Sequence, residues 1–376
     1  MIRAFDITKM GAFGLLLAGT ALLSSAPLSG QAGDNISGGS GVFYTGTYAD
    51  RIHVVDEATL SLIDTIPTQN GIVGRLVVSD DRERIYVTDA TYEHVEVIDL
   101  ESRESIDKFT LNDGNRRFRI RGGFAVDPQE TYALITGSSR VKLLDRYEMH
   151  STVIIKYDLK NHEIMDTIPW PGGHERSRAT FRFSPDGSLA YFQAEDMIVL
   201  ETENFTEVDR WAISEEAEPG RGIVRPSFGS SYYEEPGFFT SLVRMTDPIN
   251  NRRMMGIARV DLAEREMDFY TLGPSESVRR FAMAPGGKKA YALYDEVGHY
   301  EFWAIDLEEG RVTHRQPFEG RSRMGLAVSS NGKYLYIHVA GNTIDVYDSE
   351  TYELVKTVDV GGDMRGFVFL PGTDDE

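Results

Sequence analysis

The feature that most constrains the fold is a strand-like pattern that recurs about every 40 to 45 residues, with two longer intervals. Each copy contains an apolar stretch that ends in an acidic residue and runs into a polar turn. These acidic residues are Asp56, Asp99, Asp158, Glu201, Asp261, Asp306 and Asp348. An earlier stretch in each copy begins close to an aromatic residue. These aromatic residues are Tyr44, Tyr86, Tyr132, Tyr191, Phe239, Tyr291 and Tyr336. The pattern indicates a chain built from repeated groups of short strands.

Turn-forming sequences separate these strands in most copies. Residues 184–187, 284–287 and 330–332 contain the glycine, proline and asparagine positions that tight hairpins require. No helical period of apolar residues intervenes between the strands. Strands repeated at this spacing are typical of propeller blades, so the sequence predicts an all-β, seven-bladed β-propeller. We expect it to form a single domain over residues 33–376.

The way the copies begin and end predicts how the ring closes. The first copy starts at its aromatic strand near Val42, whereas the last copy is followed by one extra apolar strand at residues 364–372. Placing this extra strand innermost in the first blade gives that blade four strands and removes an open sheet edge. We therefore expect the C-terminal strand to pair with the N-terminal strands of the first blade.

The N-terminus has the pattern of a secretory signal peptide. Arg3 and Lys9 precede an apolar stretch at residues 11–23, and small residues follow it. We expect residues 1–32 to be removed by cleavage before Gly33, with cleavage a few residues earlier as an alternative. The other alternative, an uncleaved anchor, is disfavoured because a spanning helix needs about 20 apolar residues. The mature chain is therefore expected to be periplasmic and free of membrane segments.

Charge and cysteine content exclude several function classes. The chain has 59 acidic and 39 basic residues, for a net charge of −20, so nucleic acid is not an expected partner. It has no cysteine. Thiolate zinc sites, iron–sulfur clusters and covalently attached c-type haem are therefore excluded on this chain.

No pattern of catalytic or metal-binding residues is present. The 8 histidines are scattered without metal-ligand spacing, and no serine-nucleophile motif occurs. The repeated acidic residues at the strand ends could suggest a metal ring. Because each precedes a turn, we expect them instead to accept backbone hydrogen bonds there. The sequence predicts no catalytic residue and no metal site.

Arginine recurs near the start of the innermost strand of every copy, which is unusual in so acidic a chain. The seven residues are Arg75, Arg121, Arg178, Arg225, Arg280, Arg323 and Arg365. Because innermost strands line the axial channel, we expect these side chains to gather at one mouth. There they would favour an anion or an acidic partner segment. The alternative is that each arginine pairs with one of the many loop carboxylates.

Three insertions interrupt the regular repeat, at residues 137–151, 214–237 and 245–253. Inserted loops on a rigid scaffold often carry specific contacts. An aromatic group next to the longest insertion is a candidate partner interface. Its members are Tyr232, Tyr233, Phe238 and Phe239. The alternative is that these aromatic residues only pack the loop against its own blade.

The repeat at residues 85–111 resembles the YVTN family of β-propellers, which implies a fold and no particular function. A second resemblance covers residues 130–376. It rests on the extra hairpin at 140–164, the segment 237–267 and the ending 345–376. In the order and lengths of these irregular features, the chain resembles the β subunit of quinohaemoprotein amine dehydrogenase.

That second resemblance implies a periplasmic complex for primary amine oxidation. A haem-bearing α subunit and a small γ subunit with cysteine tryptophylquinone would carry the cofactors, and this chain would carry none. It would be a non-catalytic platform that docks both partners. The alternative function is a free-standing YVTN-type propeller that binds an anion or a peptide at the arginine mouth. A lactonase-like hydrolase is a third class, for which the sequence offers no clustered catalytic residues.

Overall fold

The structure is a computed structural model that describes residues 36–213, 215, 223–224, 232–247 and 249–372. The predicted signal peptide lies outside these residues. Apart from one 3₁₀ turn at Pro171–Gly173, the regular elements of the described chain are strands. They are β1 (Val42–Thr47), β2 (Arg51–Asp56), β3 (Ser61–Pro67), β4 (Val73–Val78), β5 (Arg84–Asp89), β6 (His94–Asp99), β7 (Glu104–Thr110), β8 (Arg116–Val126), β9 (Tyr132–Lys142), β10 (Tyr147–Asp158), β11 (Glu163–Ile168), β12 (Phe181–Phe183), β13 (Leu189–Gln193), β14 (Met197–Glu201), β15 (Glu207–Trp211), β16 (Phe238–Asp247), β17 (Arg252–Asp261), β18 (Glu266–Pro274), β19 (Val278–Met283), β20 (Lys289–Glu296), β21 (His299–Asp306), β22 (Arg311–Pro317), β23 (Gly325–Val328), β24 (Tyr334–His338), β25 (Thr343–Asp348), β26 (Leu354–Asp359) and β27 (Met364–Leu370).

These strands form seven antiparallel sheets, which are the blades of a propeller. Six sheets have four strands, and the sheet of the fifth blade has three within the described residues. Neighbouring blades meet at β27, β4, β8, β12, β19 and β23, so these strands are the innermost of their blades. The predicted innermost strand of blade five, which contains Arg225, falls largely outside the described residues. The prediction of a seven-bladed β-propeller is confirmed.

The direction of the strands distinguishes two faces of the ring. Each of the six described inner strands begins on one face, which we call the arginine face, and ends on the other, which we call the closed face. Because strands alternate in direction, the hairpins between second and third strands also lie on the arginine face. The turns that follow the inner strands lie on the closed face, together with those between third and outermost strands.

The ring closes as the sequence predicts. Strand β27 lies beside β1 in the first blade, with Tyr44 opposite Val368 and Phe43 opposite Phe369. Phe43 and Phe369 are 1% exposed, and their rings stack with centroids 4.8 Å apart. Blade one therefore combines strands from both ends of the described chain.

A fully buried carboxylate, Glu57, joins this composite blade to blade seven. Its Oε2 accepts hydrogen bonds from the Gly41 amide at 2.8 Å and the Ser330 hydroxyl at 2.5 Å. Its Oε1 accepts from the Ser330 amide at 2.9 Å and the Tyr336 hydroxyl at 2.8 Å. The Gly372 amide also donates to the Ser330 hydroxyl, at 2.9 Å. Segments near both ends of the described chain are thus held by one turn of the seventh blade.

Six of the seven acidic residues at the strand ends accept backbone hydrogen bonds in the following turn, as predicted, and Glu201 is the exception among the described contacts. The Asp99 carboxylate accepts the Ser102 amide at 2.8 Å, and the Asp306 carboxylate accepts the Glu309 amide at 2.8 Å. Equivalent turn contacts are made by Asp56, Asp158, Asp261 and Asp348. These residues therefore close turns, and the described residues contain no cluster of three or more metal-ligating side chains.

Candidate functional site

The innermost strands hold the predicted arginines at equivalent places. Arg75, Arg121, Arg280 and Arg365 lie within β4, β8, β19 and β27, and Arg178 and Arg323 lie just before β12 and β23. All six are therefore near the arginine face. The Arg178 side chain packs against Gly122, which follows Arg121. A Cβ atom added at Gly122 would lie only 3.1 Å from it. The remaining member, Arg225, lies outside the described residues.

Irregular strand pairing recurs at these arginines. The register between an inner strand and its neighbour shifts beside Arg75 and across Arg121, Arg280 and Arg365. Bulges of this kind bend a strand and redirect a side chain, and they are frequent near functional sites. The arginine face of the inner strands is thus locally irregular in four blades.

None of these six arginines forms an ion pair with any other described residue. Their described contacts are to uncharged groups. Arg121 Nε donates to the Ser138 hydroxyl at 3.3 Å, and Arg280 Nε donates to the Met324 carbonyl at 2.8 Å. The Arg365 guanidinium lies 5.4 Å from the centre of the Tyr48 ring.

Arginines elsewhere in the chain do pair with carboxylates. Arg84 contacts Glu130 at 2.7 Å, and Arg315 contacts Glu301 at 2.8 Å. The alternative was that the axial arginines pair with loop carboxylates. No such ion pair forms among the described residues. No described carboxylate compensates their charge by direct contact, which favours an anion at this mouth.

An axial cavity of about 630 Å³ opens beside two of these arginines, Arg280 and Arg323. Its described walls come from blades five, six, seven and one. Beyond the arginines the lining includes Phe281, Met283, Leu326, His338, Phe367 and Phe369. This volume lies in the range of sites that hold small organic ligands.

Arg280 and Arg323 share an unusual backbone conformation. Their φ angles are 56° and 65°, in the left-handed region that side chains other than glycine seldom adopt. Most other described residues with such angles lie in hairpin turns, as Leu60 and Tyr352 do. A position of this kind costs about 1–3 kcal/mol and is often associated with a functional site. Both residues line the axial cavity.

His338 is a site residue that the sequence did not reveal. It is half-buried at the end of β24 and stacks on Phe367, with ring centroids 3.7 Å apart and planes at 15°. Burial, with a smaller contribution from the Arg280 guanidinium, lowers its pKa to about 3. The imidazole is therefore neutral at physiological pH and adds no charge to the cavity.

The closed face of the channel is crossed by the end of the longest insertion. The Tyr232 carbonyl accepts a hydrogen bond from Arg82 in blade two at 3.0 Å. The Tyr233 hydroxyl donates to the Val328 carbonyl in blade seven at 2.8 Å. This segment therefore connects blades on different sides of the ring. Its Tyr232 also lines the axial cavity, at the end away from the arginines.

A half-buried arginine of blade four, Arg182, interacts electrostatically with Tyr232 of this crossing segment. Burial lowers the pKa of its guanidinium, the Asp80 carboxylate raises that pKa, and Arg75 lowers it further. Burial likewise raises the pKa of Asp80, and Arg182 opposes that rise. The axial region thus contains an attractive pair of charges in addition to its arginine mouth.

The four aromatic interface candidates do not form one cluster. Tyr232 and Tyr233 lie on the closed face, while Phe239 is 5% exposed and packs in the core with Tyr191 and Val260. Phe238 is half-buried, with the Arg259 guanidinium 4.3 Å from its ring centre. Only part of this group packs against its own blade, because Tyr233 contacts blade seven.

Exposed apolar side chains lie elsewhere on the arginine face. They lie at the tips of three hairpins on the arginine face. Leu144, Ile249 and Val297 occupy these tips and are 109%, 81% and 89% exposed. The hairpin of blade three is the longest, and it also exposes Tyr147 and Met149. The sequence insertions at 137–151 and 245–253 correspond to the first two of these hairpins.

No helix in the described part of the chain is long and apolar enough to span a membrane.

Comparison with known proteins relates the chain to solved propellers. No family model matches it, and no curated protein does. The periplasmic gluconolactonase PpgL of Pseudomonas aeruginosa superposes with a TM-score of 0.52 at 12% identity, covering 88% of this chain and 98% of that chain. Apo AztD from Citrobacter koseri gives 0.51 at 13% identity, covering 90% and 100%.

The dihydro-haem d1 dehydrogenase NirN, solved in complex with DHE, gives a TM-score of 0.51 at 14% identity. That comparison covers 90% of this chain and 76% of NirN. What these proteins share with it is the propeller fold. At such low identity the similarity shows the fold alone, so function has to be argued from the site itself.

Proposed function

We propose that this protein is an exported, periplasmic β-propeller that binds an anion at its arginine-lined axial mouth. The ligand is either a small anionic molecule or an acidic segment of a partner protein. The observation that supports this most directly is the group of six inner-strand arginines that form no ion pair within the described residues. In a chain with net charge −20 carboxylates are abundant, yet none of those that the structure describes pairs with these six arginines.

The position of the arginines adds to the argument. All six lie in or just before the inner strands of separate blades, and two of them, Arg280 and Arg323, line the axial cavity. Low-dielectric walls strengthen the field of like charges in such a cavity. Guanidinium groups hold carboxylates and phosphates through charge-assisted hydrogen bonds. The two arginines with left-handed backbone line the cavity, which is where an anion would enter.

Calorimetric titration with citrate tests this proposal. We expect weak binding, with a Kd in roughly the millimolar range, that weakens further as ionic strength rises. The double variant Arg280→Gln/Arg323→Gln should bind citrate at least about tenfold more weakly, since each charge-assisted hydrogen bond contributes about 1.5–3 kcal/mol.

A matched control carries Arg210→Gln and Arg311→Gln, which remove the same charge from outer strands. Both control arginines pair with surface carboxylates, and such exposed pairs contribute little to stability. The control should bind citrate as the unmodified protein does. The absence of heat above the buffer signal, or an equal loss in both variants, would refute the proposal.

A second candidate function is favoured by the long hairpin of blade three. This hairpin is one of the features in which the chain resembles the β subunit of quinohaemoprotein amine dehydrogenase, and its tip exposes Leu144, Tyr147 and Met149. Exposed apolar groups of this kind suit a docking platform. In such a complex the propeller would be a non-catalytic subunit. A haem-bearing α subunit and a quinone-bearing γ subunit would carry the c-type haem and cysteine tryptophylquinone.

Capture of this protein from its native periplasm tests the second candidate. The expected eluate contains a haem-absorbing chain and a small quinone-bearing chain. A bait in which residues 143–146 are replaced by a two-residue Asn-Gly turn should recover less of both. A haem-free eluate that lacks the small chain would count against this function and leave the anion-binding function in place.

A further inference from the structure

The axial cavity changes in chemical character with depth. Each inner strand runs from the arginine face toward the closed face, so residues later in the strand lie deeper. In β19, Arg280 is followed by Phe281 and Met283, and in blade seven Arg323 is followed by Leu326. In blades six and seven the wall therefore begins with cations and continues with apolar and aromatic side chains.

Strand β27 continues this wall. Phe367 and Phe369 both line the cavity, and the His338 ring stacks on Phe367. Because the low pKa of His338 leaves it neutral, this side presents a flat, uncharged surface. Aromatic rings pack well against such surfaces.

Arg280 is held so that part of its guanidinium remains available. Its Nε donates to the Met324 carbonyl at 2.8 Å, which fixes the plane of the group. The two terminal nitrogens supply four further N–H donors in the geometry that a carboxylate accepts. The irregular pairing of β19 at this residue keeps the side chain at the cavity mouth.

We propose that the axial cavity binds an aromatic carboxylate, with the carboxylate at Arg280 and the ring against the wall formed by Phe281, Leu326 and Phe367. This inference rests on the proposed anion-binding function and adds the chemical class of the ligand. A multivalent anion without an apolar group would contact only the arginines at the mouth. An aryl carboxylate would contact both these arginines and the apolar wall beyond them. Arg323 adds positive potential at the same end.

Calorimetric titration of the purified protein with three probes tests this inference. The probes are 2-naphthoate, its neutral counterpart 2-naphthalenemethanol, and citrate. We expect 2-naphthoate to bind at least about tenfold more tightly than either of the others, since it alone satisfies both the guanidinium and the apolar wall.

Two variants separate the contributions. Arg280→Gln should weaken 2-naphthoate binding at least about tenfold and leave 2-naphthalenemethanol nearly unchanged. Phe281→Ala should weaken 2-naphthoate about fivefold or more while citrate binding stays within about twofold. Arg311→Gln, on an outer strand, serves as the control and should change neither. Thermal unfolding of each variant verifies that it is folded.

The outcomes distinguish this inference from the proposed function. If citrate binds through the arginines and 2-naphthoate binds no better, the aromatic class is wrong and the anion-binding function stands. If 2-naphthalenemethanol binds as tightly as 2-naphthoate, the arginine contribution to this ligand is wrong. If neither anion binds, both proposals are overturned.

Discussion

A chain truncated after Asp363 is expected to lose most of its folding stability and its single cooperative thermal transition. The truncation removes β27, whose Met364, Val368 and Phe369 are 4%, 5% and 1% exposed. Burying side chains of this size contributes roughly 1.5–3 kcal/mol each, so the loss is comparable with the roughly 5–15 kcal/mol that stabilises a typical domain. It also leaves the inner edge of β1 without a partner. Differential scanning calorimetry of the purified chains would measure the effect.

The matched control shortens an insertion. Replacing residues 143–146 with an Asn-Gly turn removes only the exposed tip of the third-blade hairpin, where Leu144 makes no buried contact. We expect its melting temperature to stay within a few degrees of that of the intact protein. Equal melting temperatures for the truncated and intact chains would show that ring closure by β27 is not a main source of stability.

Glu57→Ala is expected to destabilise the protein by about 3–5 kcal/mol, because it leaves four buried donors without their acceptor. Two of these donors belong to Ser330 and one to Tyr336, so the loss falls on the contact between blades one and seven. Urea unfolding followed by tryptophan fluorescence would measure the change in the free energy of unfolding.

The neighbouring residue supplies a control for this second prediction. The Asp56 carboxylate accepts the amide and the hydroxyl of Thr59 in an exposed turn, so Asp56→Ala should cost only about 1 kcal/mol. Glu57→Gln keeps the shape and one carbonyl acceptor, and it should lie between the two. An effect of Glu57→Ala no larger than that of Asp56→Ala would show that the buried Glu57 carboxylate does not stabilise the contact between blades one and seven.

The blades could be predicted from sequence because their signals are local. The carboxylates of Asp99 and Asp306 each accept the backbone amide three residues ahead, so a few adjacent residues of the sequence determine these turns. Ring closure followed from the same repeats, since the final strand at Met364–Leu370 lacked a blade of its own. The arginine positions were predicted in the same way, from their recurrence in each copy.

Other parts of the site depend on contacts between distant segments. Glu57 looks like another turn acid beside Asp56, and only the closed ring brings Ser330 and Tyr336 to it. His338 occupies an ordinary strand position, and its place at the cavity depends on where the axis passes. The alternation of polar and apolar residues along a strand does not show how far along the propeller axis a side chain lies.

Which of the arginines form ion pairs could also not be predicted from the sequence. With 59 acidic residues in the chain, every arginine had possible partners, and the sequence could not show which pairs form. The irregular pairing at Arg280 and its left-handed backbone angle have no signal in the local sequence. The sequence also could not show where the longest insertion packs, because its Tyr232 carbonyl accepts a hydrogen bond from Arg82 in blade two, across the ring.

The composite first blade has a consequence for the order in which the chain is made. Strand β1 is synthesised early, but its partner β27 follows only after the strands of the six other blades. Throughout that interval the aromatic side chain of Phe43 and the unpaired edge of β1 have no native cover, which is the condition that favours strand addition between unfinished chains. The hazard ends only when the C-terminal strand arrives, so crowded synthesis should make this protein depend on chaperones that hold the early strands apart.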